Sequence, residues 1–193
     1  MKTKPEILLN SEENIFFNKI LITGSDESFI TYVKSFIVER FKKRNFFIDV
    51  SDNYNNRSMG SLFSENKTLF ILSDFPKIKE SNFSDSNSQS ILVASPNGKK
   101  INSIKSALSK QKDSLVVECY SLNRSSKEGV LKQYIELNSL VISSNVFWYI
   151  IENFDNSYVV FINQLKMLSL FNKRIDLISD IEKITYVDNK IEI

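Results

Sequence analysis

The chain has 193 residues, of which 42% are hydrophobic and 12% aromatic, and this is enough apolar material for a packed core. Its 25 basic and 23 acidic residues give a formal net charge of +2, which does not indicate a dedicated nucleic-acid or membrane surface. The sequence contains no histidine, and this excludes Ser-His-Asp and Cys-His catalytic sites and the common zinc ligand sets. We therefore expect neither a metal centre nor a bound cofactor.

Cysteine content and hydropathy indicate the compartment. Cys119 is the only cysteine, so no disulfide can form within the chain. It lies in an apolar run typical of a buried strand, and we interpret it as a structural residue in a reducing compartment. The sequence has no apolar run of the roughly 18 residues that a membrane helix needs, and its start lacks the pattern of a secretory signal. These features predict a cytoplasmic protein with no membrane partner.

The first 120 residues alternate between strand and helix patterns. The first predicted strand, residues 19–23, precedes a glycine and an amphipathic helix predicted over residues 27–43, for which polar residues 25–27 supply helix-start chemistry. Four more strands are predicted, over residues 46–50, 68–72, 90–94 and 114–118. This alternation predicts an α/β domain, residues 1–120, with a largely parallel, helix-covered sheet.

The pattern changes after Tyr120, where no further strand is predicted. Apolar residues at helical spacing predict four helical segments, over residues 125–138, 143–153 and 156–171 and near 177–184. We interpret residues 121–193 as a small all-helical domain of the lid type. Trp148 is expected to pack in its core rather than to bind a ligand.

The turn after the first strand, residues 23–28, has the position of a phosphate-binding loop. It lacks the second glycine and the Lys-Ser/Thr pair that hold phosphates and magnesium. Asp26 and Glu27 would place negative charge where phosphate groups lie, and no strand ends in the acidic pair that holds magnesium in nucleotide hydrolases. We interpret the turn as a degenerate P-loop and predict a protein without catalytic activity.

An apolar pair precedes the strand predicted over residues 68–72. Leu62 and Phe63 lie three and four residues after Met59, so the three residues can share one face of a short helix. Two bulky apolar residues at a helix end can close a core or fill a pocket on another protein. From the residues alone burial is the more common role, and both interpretations stay open.

Two groups of basic residues bear on direct DNA binding. They surround one predicted helix and end another, and they comprise Lys99, Lys100, Lys105, Lys110 and Lys112, then Lys42, Lys43 and Arg44. Solvated helix faces and the helix dipole explain both groups, and the low net charge agrees with this. We expect any relation to DNA to be indirect.

Several segments, taken in order, resemble one protein family. They are the strand, glycine, acidic pair and helix start of residues 19–28, then residues 61–72, 90–94 with the lysine-rich helix after them, 116–119, 130–142 and 156–168. In this order and spacing they resemble the delta subunit of the bacterial DNA polymerase III clamp loader, over nearly the whole chain. The resemblance implies an AAA+-like fold that does not hydrolyse ATP.

The resemblance also implies a function. Delta subunits bind and open the ring-shaped sliding clamp during DNA replication, together with other clamp-loader subunits, through an apolar pair on a helix of the first domain. By resemblance, Leu62 and Phe63 take this role, with Met59 on the same face. The resemblance covers the family's first two domains, and we expect this chain to be without the third, which joins the collar of the loader.

Two other interpretations stay open. The chain can be a shortened AAA+-derived scaffold or interaction module that no longer binds the clamp, in which case Leu62 and Phe63 are buried. It can also be a residual NTPase or nucleic-acid enzyme, which would have to bind nucleotide without the missing lysine.

Overall fold

The computed structural model of the protein describes residues 1–10, 17–51, 67–72, 90–171 and 174–182. The chain forms two compact units, Met1–Tyr120 and Ser121–Ile193. A six-stranded sheet lies in the first unit and a two-stranded sheet in the second. No helix in the described ranges is both long enough and apolar enough to cross a membrane.

Strands and helices alternate through the described part of the first unit. Their order is β1 (Lys2–Thr3), α1 (Pro5–Asn10), β2 (Lys19–Gly24), α2 (Glu27–Lys42), β3 (Phe47–Ser51), β4 (Thr68–Leu72), β5 (Ser90–Ala94), α3 (Lys99–Leu108) and β6 (Ser114–Cys119). The five strands predicted from the sequence are confirmed, with bounds that differ by at most one residue. The short elements β1 and α1 are not predicted, because so few residues show no clear periodicity.

The six strands form one parallel sheet in the order β1-β6-β2-β5-β4-β3, as the sequence predicts for the parallel pairing. The central strand β2 pairs on one side with β5, where Ile20 lies beside Leu92, and on the other with β6, where Ile20 lies beside Leu115. From β2 the chain passes through α2 to β3, which lies on the β5 side of β2. From β5 it passes through α3 to β6, which lies on the opposite side of β2. The carboxyl end of β2 is therefore the switch point at which open α/β sheets commonly bind ligands.

Helices α2 and α3 bury their apolar stripes. In α2 these are Phe29, Ile30, Val33, Ile37 and Phe41, at the spacing of one helical face. In α3 they are Ile101, Ile104 and Leu108, which form one buried cluster with residues of β2, β4, β5 and β6. Burial of these side chains is the main favourable term that holds α3 on the sheet.

The second unit is mainly helical. Its elements are α4 (Arg124–Asn138), β7 (Val141–Ile142), α5 (Ser144–Asn153), α6 (Tyr158–Phe171) and β8 (Arg174–Ile175), and residues 178–182 are also helical. The expectation of an all-helical unit is corrected by β7 and β8, which pair in parallel. Strands of two residues are too short to show the period of two by which strands are predicted.

Trp148 does not pack fully into the helical unit, contrary to expectation. Its side chain is 39% exposed, the guanidinium of Arg124 lies 5.0 Å from its ring centroid, and the ring of Phe147 meets it edge-on at 5.3 Å. An indole ring has enough surface to contact the core with one side and solvent with the other.

A buried lysine joins three helices of the second unit. The ammonium of Lys127, in α4, donates to the carbonyl oxygens of Ile151 at 3.2 Å and of Phe154, and it lies 5.7 Å from the ring centroid of Phe161. Burial lowers the pKa of Lys127, while the charge of Asp155 acts in the opposite direction. Because the last carbonyl groups of a helix have no partner within it, the cation satisfies acceptors at the end of α5.

Candidate functional site

The predicted partner-binding residues Met59, Leu62 and Phe63 lie in the interval 52–66, outside the described residues. The strands on both sides of this interval, β3 and β4, pair in parallel. The chain therefore leaves β3 at the carboxyl edge of the sheet and enters β4 at its amino edge. The role of the three residues stays a prediction.

The carboxyl end of β2 holds the turn that has the position of a phosphate-binding loop. It is tight, because only Ser25 and Asp26 separate β2 from α2. Gly24 has a φ of +153°, and a Cβ atom there would lie 1.7 Å from the carbonyl oxygen of Cys119. This contact requires glycine, because both the backbone conformation and the space exclude a side chain.

The backbone amides of the turn donate hydrogen bonds to another strand of the protein. The amides of Ser25 and Asp26 donate to the carbonyl oxygen of Cys119 in β6, at 3.1 and 3.2 Å. In a phosphate-binding loop, the equivalent amides donate to phosphate oxygens. Here both donors already have a protein acceptor.

The carboxylate of Asp26 lies at the start of α2, where a phosphate-binding loop would hold a phosphate. Its Oδ1 atom accepts from the amide of Phe29 at 3.0 Å and from the hydroxyl of Ser28 at 2.7 Å, so Asp26 is the N-cap of α2. It is one of the residues 25–27 to which the sequence assigns helix-start chemistry. Asp26 is buried, and its Oδ2 atom has no hydrogen-bond partner among the described residues. A phosphate beside this carboxylate would bring two anions together, which disfavours phosphate binding at this helix start.

A chain of side-chain hydrogen bonds fills the rest of this edge of the sheet. The hydroxyl of Thr23 donates to Asn97 Oδ1 at 3.1 Å, and Asn97 Nδ2 donates to the hydroxyl of Tyr120 at 3.3 Å. Tyr120 in turn donates to Glu118 Oε1 at 3.2 Å. This network is not predicted from the sequence. Its members lie at the ends of β2 and β6 and in the segment after β5, and the order of these strands in the sheet cannot be read from local patterns.

Two lysines complete the network. The ammonium groups of Lys2 and Lys105 bind the two carboxylate oxygens of Glu118. Burial alone would raise the pKa of Glu118, but the hydrogen bonds and charges of the two lysines outweigh it and hold that pKa below its ordinary value. The hydrogen bond to Glu118 raises the pKa of Lys105. Glu118 therefore stays ionised, which suits a structural ion pair better than a general acid.

Cys119 is not a nucleophile in this setting. Its side chain is fully buried, and burial, followed by the charges of Asp26 and Glu6, raises the pKa of the thiol to about 12. A thiol with such a pKa is protonated at neutral pH, when it neither attacks carbonyl groups nor binds metals readily. Among the described residues, no group of three cysteine or carboxylate side chains is arranged to hold a metal ion.

The basic residues that were weighed for DNA binding lie at the surface or in ion pairs. Lys105 binds Glu118, and Lys42 donates to Glu39 at 2.8 Å. Four further lysines of the α3 region are exposed, namely Lys99, Lys100, Lys110 and Lys112. This exposure suits solvated helix faces, and an indirect relation to DNA stays an expectation.

The fold is similar to that of a solved clamp loader protein. The DNA clamp loader delta protein YqeN of Bacillus subtilis has 12% sequence identity and a TM-score of 0.55, over 91% of this chain and 58% of that one. The chain thus spans less than two thirds of the length of that protein. At this identity the likeness concerns the fold alone.

Structures of RuvB from Thermotoga maritima are less similar. One of them, the Holliday junction branch migration motor, has 11% identity and a TM-score of 0.47, over 88% of this chain and 61% of that one. No protein-family model matches the sequence, and no curated protein is significantly similar to it. The parallel six-stranded sheet with its surrounding helices is an α/β fold of the AAA+-like type.

Proposed function

We propose that this protein is a non-catalytic, clamp-loader delta-like subunit that binds and opens a sliding clamp during DNA replication by DNA polymerase III. The observation that carries the proposal is the fold likeness to the Bacillus subtilis clamp loader delta protein, which extends over 91% of this chain. The ordered sequence segments that resemble delta subunits support the same assignment.

The turn after β2 supports a role without nucleotide hydrolysis. Its amides donate to Cys119, and Asp26 occupies the helix start with a buried carboxylate. A nucleotide would have to displace these contacts and bring phosphates beside that carboxylate. A protein built in this way acts through binding alone, and its partners in a loader would supply ATP hydrolysis.

The proposed clamp contact consists of Leu62 and Phe63, with Met59 on the same face. A small apolar anchor that enters a pocket can supply most of the binding energy of an interface. If the anchor binds the open ring more tightly than the closed ring, binding shifts the ring toward opening. Other clamp-loader subunits are further proposed partners, and DNA would be contacted only indirectly.

The test is isothermal titration calorimetry of the wild type against the sliding clamp of the same organism, without nucleotide. We expect binding that the double substitution Leu62→Ala, Phe63→Ala weakens by at least about thirtyfold, because loss of a binding hot spot costs about 2 kcal/mol or more. The matched control is Phe47→Ala, Val50→Ala, which removes an exposed aromatic and aliphatic pair from β3. The control should bind as the wild type does.

The alternatives predict other outcomes. A folded wild type that does not bind the clamp would contradict the proposal and leave the scaffold module. If the Leu62→Ala, Phe63→Ala variant bound the clamp as tightly as the wild type, another surface of the protein would have to make the contact. ATP binding at millimolar concentrations would support a residual NTPase, and we expect none.

A further inference from the structure

The segment between β5 and α3 contains the dipeptide Asn97-Gly98. No other asparagine of the sequence is followed by glycine. Both residues are exposed, and Gly98 is the N-cap of α3, with an extended backbone and no side-chain hydrogen bond at the cap. A Cβ atom at Gly98 would meet no atom within 4 Å, so neither packing nor backbone strain requires glycine here. The fold would accept another residue in its place.

The backbone around this dipeptide leaves one amide accessible. The N–H of Asn97 donates to the carbonyl oxygen of Gly24 at 2.9 Å, and that of Ser95 donates to Ile22 at 3.0 Å, so the segment is held against β2. In the described part of the chain, the N–H of Gly98 has no hydrogen-bond acceptor. Hydroxide from solvent can therefore remove its proton without first breaking a hydrogen bond.

The side-chain amide of Asn97 is held by two hydroxyl groups. Thr23 donates to its oxygen at 3.1 Å, and its nitrogen donates to Tyr120 at 3.3 Å. A donor at the oxygen stabilises the negative charge that this oxygen acquires when a nucleophile adds to the carbon Cγ. In any asparagine, the backbone nitrogen of the following residue is a tethered nucleophile that can close a five-membered ring with Cγ.

We propose that Asn97 is a site of spontaneous deamidation, a modification that needs only hydroxide and water. Hydroxide removes the amide proton of Gly98, and the nitrogen forms a bond to Cγ of Asn97. The bond between Cγ and Nδ2 then breaks, and Nδ2 leaves as ammonia after taking a proton from water. Water opens the resulting cyclic imide at either of its carbonyl carbons, which yields aspartate or isoaspartate at this position. This inference does not depend on clamp binding.

The modification changes the hydrogen-bond network at this edge of the sheet. A carboxylate only accepts, so the modified residue cannot donate to the hydroxyl of Tyr120. That hydroxyl has one proton, which it donates to Glu118 in the unmodified protein, and after the reaction it lies beside a second carboxylate. Isoaspartate also adds one atom to the main chain, next to the bonds that hold the segment against β2.

Mass spectrometry of tryptic peptides tests the proposal, after incubation of the folded chain at neutral and at mildly alkaline pH. Asn97 and Asn102 fall on separate peptides, because Lys99 and Lys100 lie between them. We expect Asn97 to be converted progressively, and faster at the higher pH, while Asn102 stays intact. Asn102 is also exposed, but it lies within α3, where the amide that follows it belongs to the helix. A sample digested without incubation supplies the baseline.

The matched variant is Gly98→Ala, whose Cβ meets no atom of the fold. Deamidation of Asn97 should slow at least about tenfold, because the Cβ atom hinders the approach of the backbone nitrogen to Cγ. Circular dichroism should show that both proteins stay folded during incubation. An Asn97 that stays at the baseline as Asn102 does would overturn the proposal. Equal rates in the wild type and in Gly98→Ala would overturn it as well, since the reaction would not pass through the cyclic imide.

Discussion

Lys127 determines how three helices of the second unit meet. Its ammonium is the donor to two carbonyl oxygens at the end of α5, and its side chain is 3% exposed. We predict that Lys127→Met lowers the free energy of unfolding by about 2 kcal/mol, because buried carbonyl groups lose a charged donor. Urea titration followed by the fluorescence of Trp148, the single tryptophan, measures this. Lys132→Met, at an exposed position of α4, should have little effect, and equal stability of the two variants would contradict the account.

Glu118 makes the stability of the first unit depend on pH. Its folded pKa lies below the ordinary value of 4.5, so its contribution is complete above pH 4.5 and is lost as the pH falls through the folded pKa. We predict that Glu118→Gln is less stable than the wild type at neutral pH and that the difference narrows below pH 4.5. Urea titrations followed by circular dichroism between about pH 7 and about pH 3 measure this. A difference that stays constant with pH would be the contrary result.

These charged residues differ in how far the sequence predicts their surroundings. Lys127 lies three and four residues before the buried Val130 and Leu131, so its place on an inner helix face could have been predicted. The partners of Glu118 are different, since Lys2 and Lys105 reach it from β1 and α3. Contacts between elements so far apart in the chain have no local signature.

At the scale of elements, the turn between β2 and α2 depends on glycine. We predict that Gly24→Ala destabilises the protein by at least about 3 kcal/mol, because its Cβ would overlap a backbone carbonyl that cannot move without β6. The midpoint of thermal unfolding measures the effect. Gly129→Ala is the control, because a Cβ at that exposed position of α4 meets no atom within 4 Å. There alanine should stabilise slightly, by helix propensity. Similar unfolding midpoints for the two variants would contradict this account of the turn.

The sequence predicts the strands that are continuous apolar runs and the long amphipathic helix. The apolar strands β2, β4, β5 and β6 and the amphipathic helix α2 are predicted within one residue of their bounds. The two-residue strands β1, β7 and β8 and the six-residue helix α1 are missed, because segments this short show too little of a local pattern. The degenerate character of the turn could be predicted from its residues, but the donation of its amides to Cys119 could not.

At the scale of the whole molecule, the sequence predicts a parallel sheet but not its strand order. Buried strands separated by helices require parallel pairing, whereas the position of β2 between β5 and β6 follows from long-range packing. For the candidate clamp contact, a sequence resemblance supplies the residues, Leu62 and Phe63. These two residues lie outside the described part of the chain.

The measurement that tests the central claim most directly is release of the sliding clamp from nicked circular DNA by this protein alone, without nucleotide. If the protein binds the open ring preferentially, it should release the clamp in proportion to its own concentration, and Leu62→Ala, Phe63→Ala should abolish release. Clamp that stays on the DNA at every concentration of folded wild type would contradict the account.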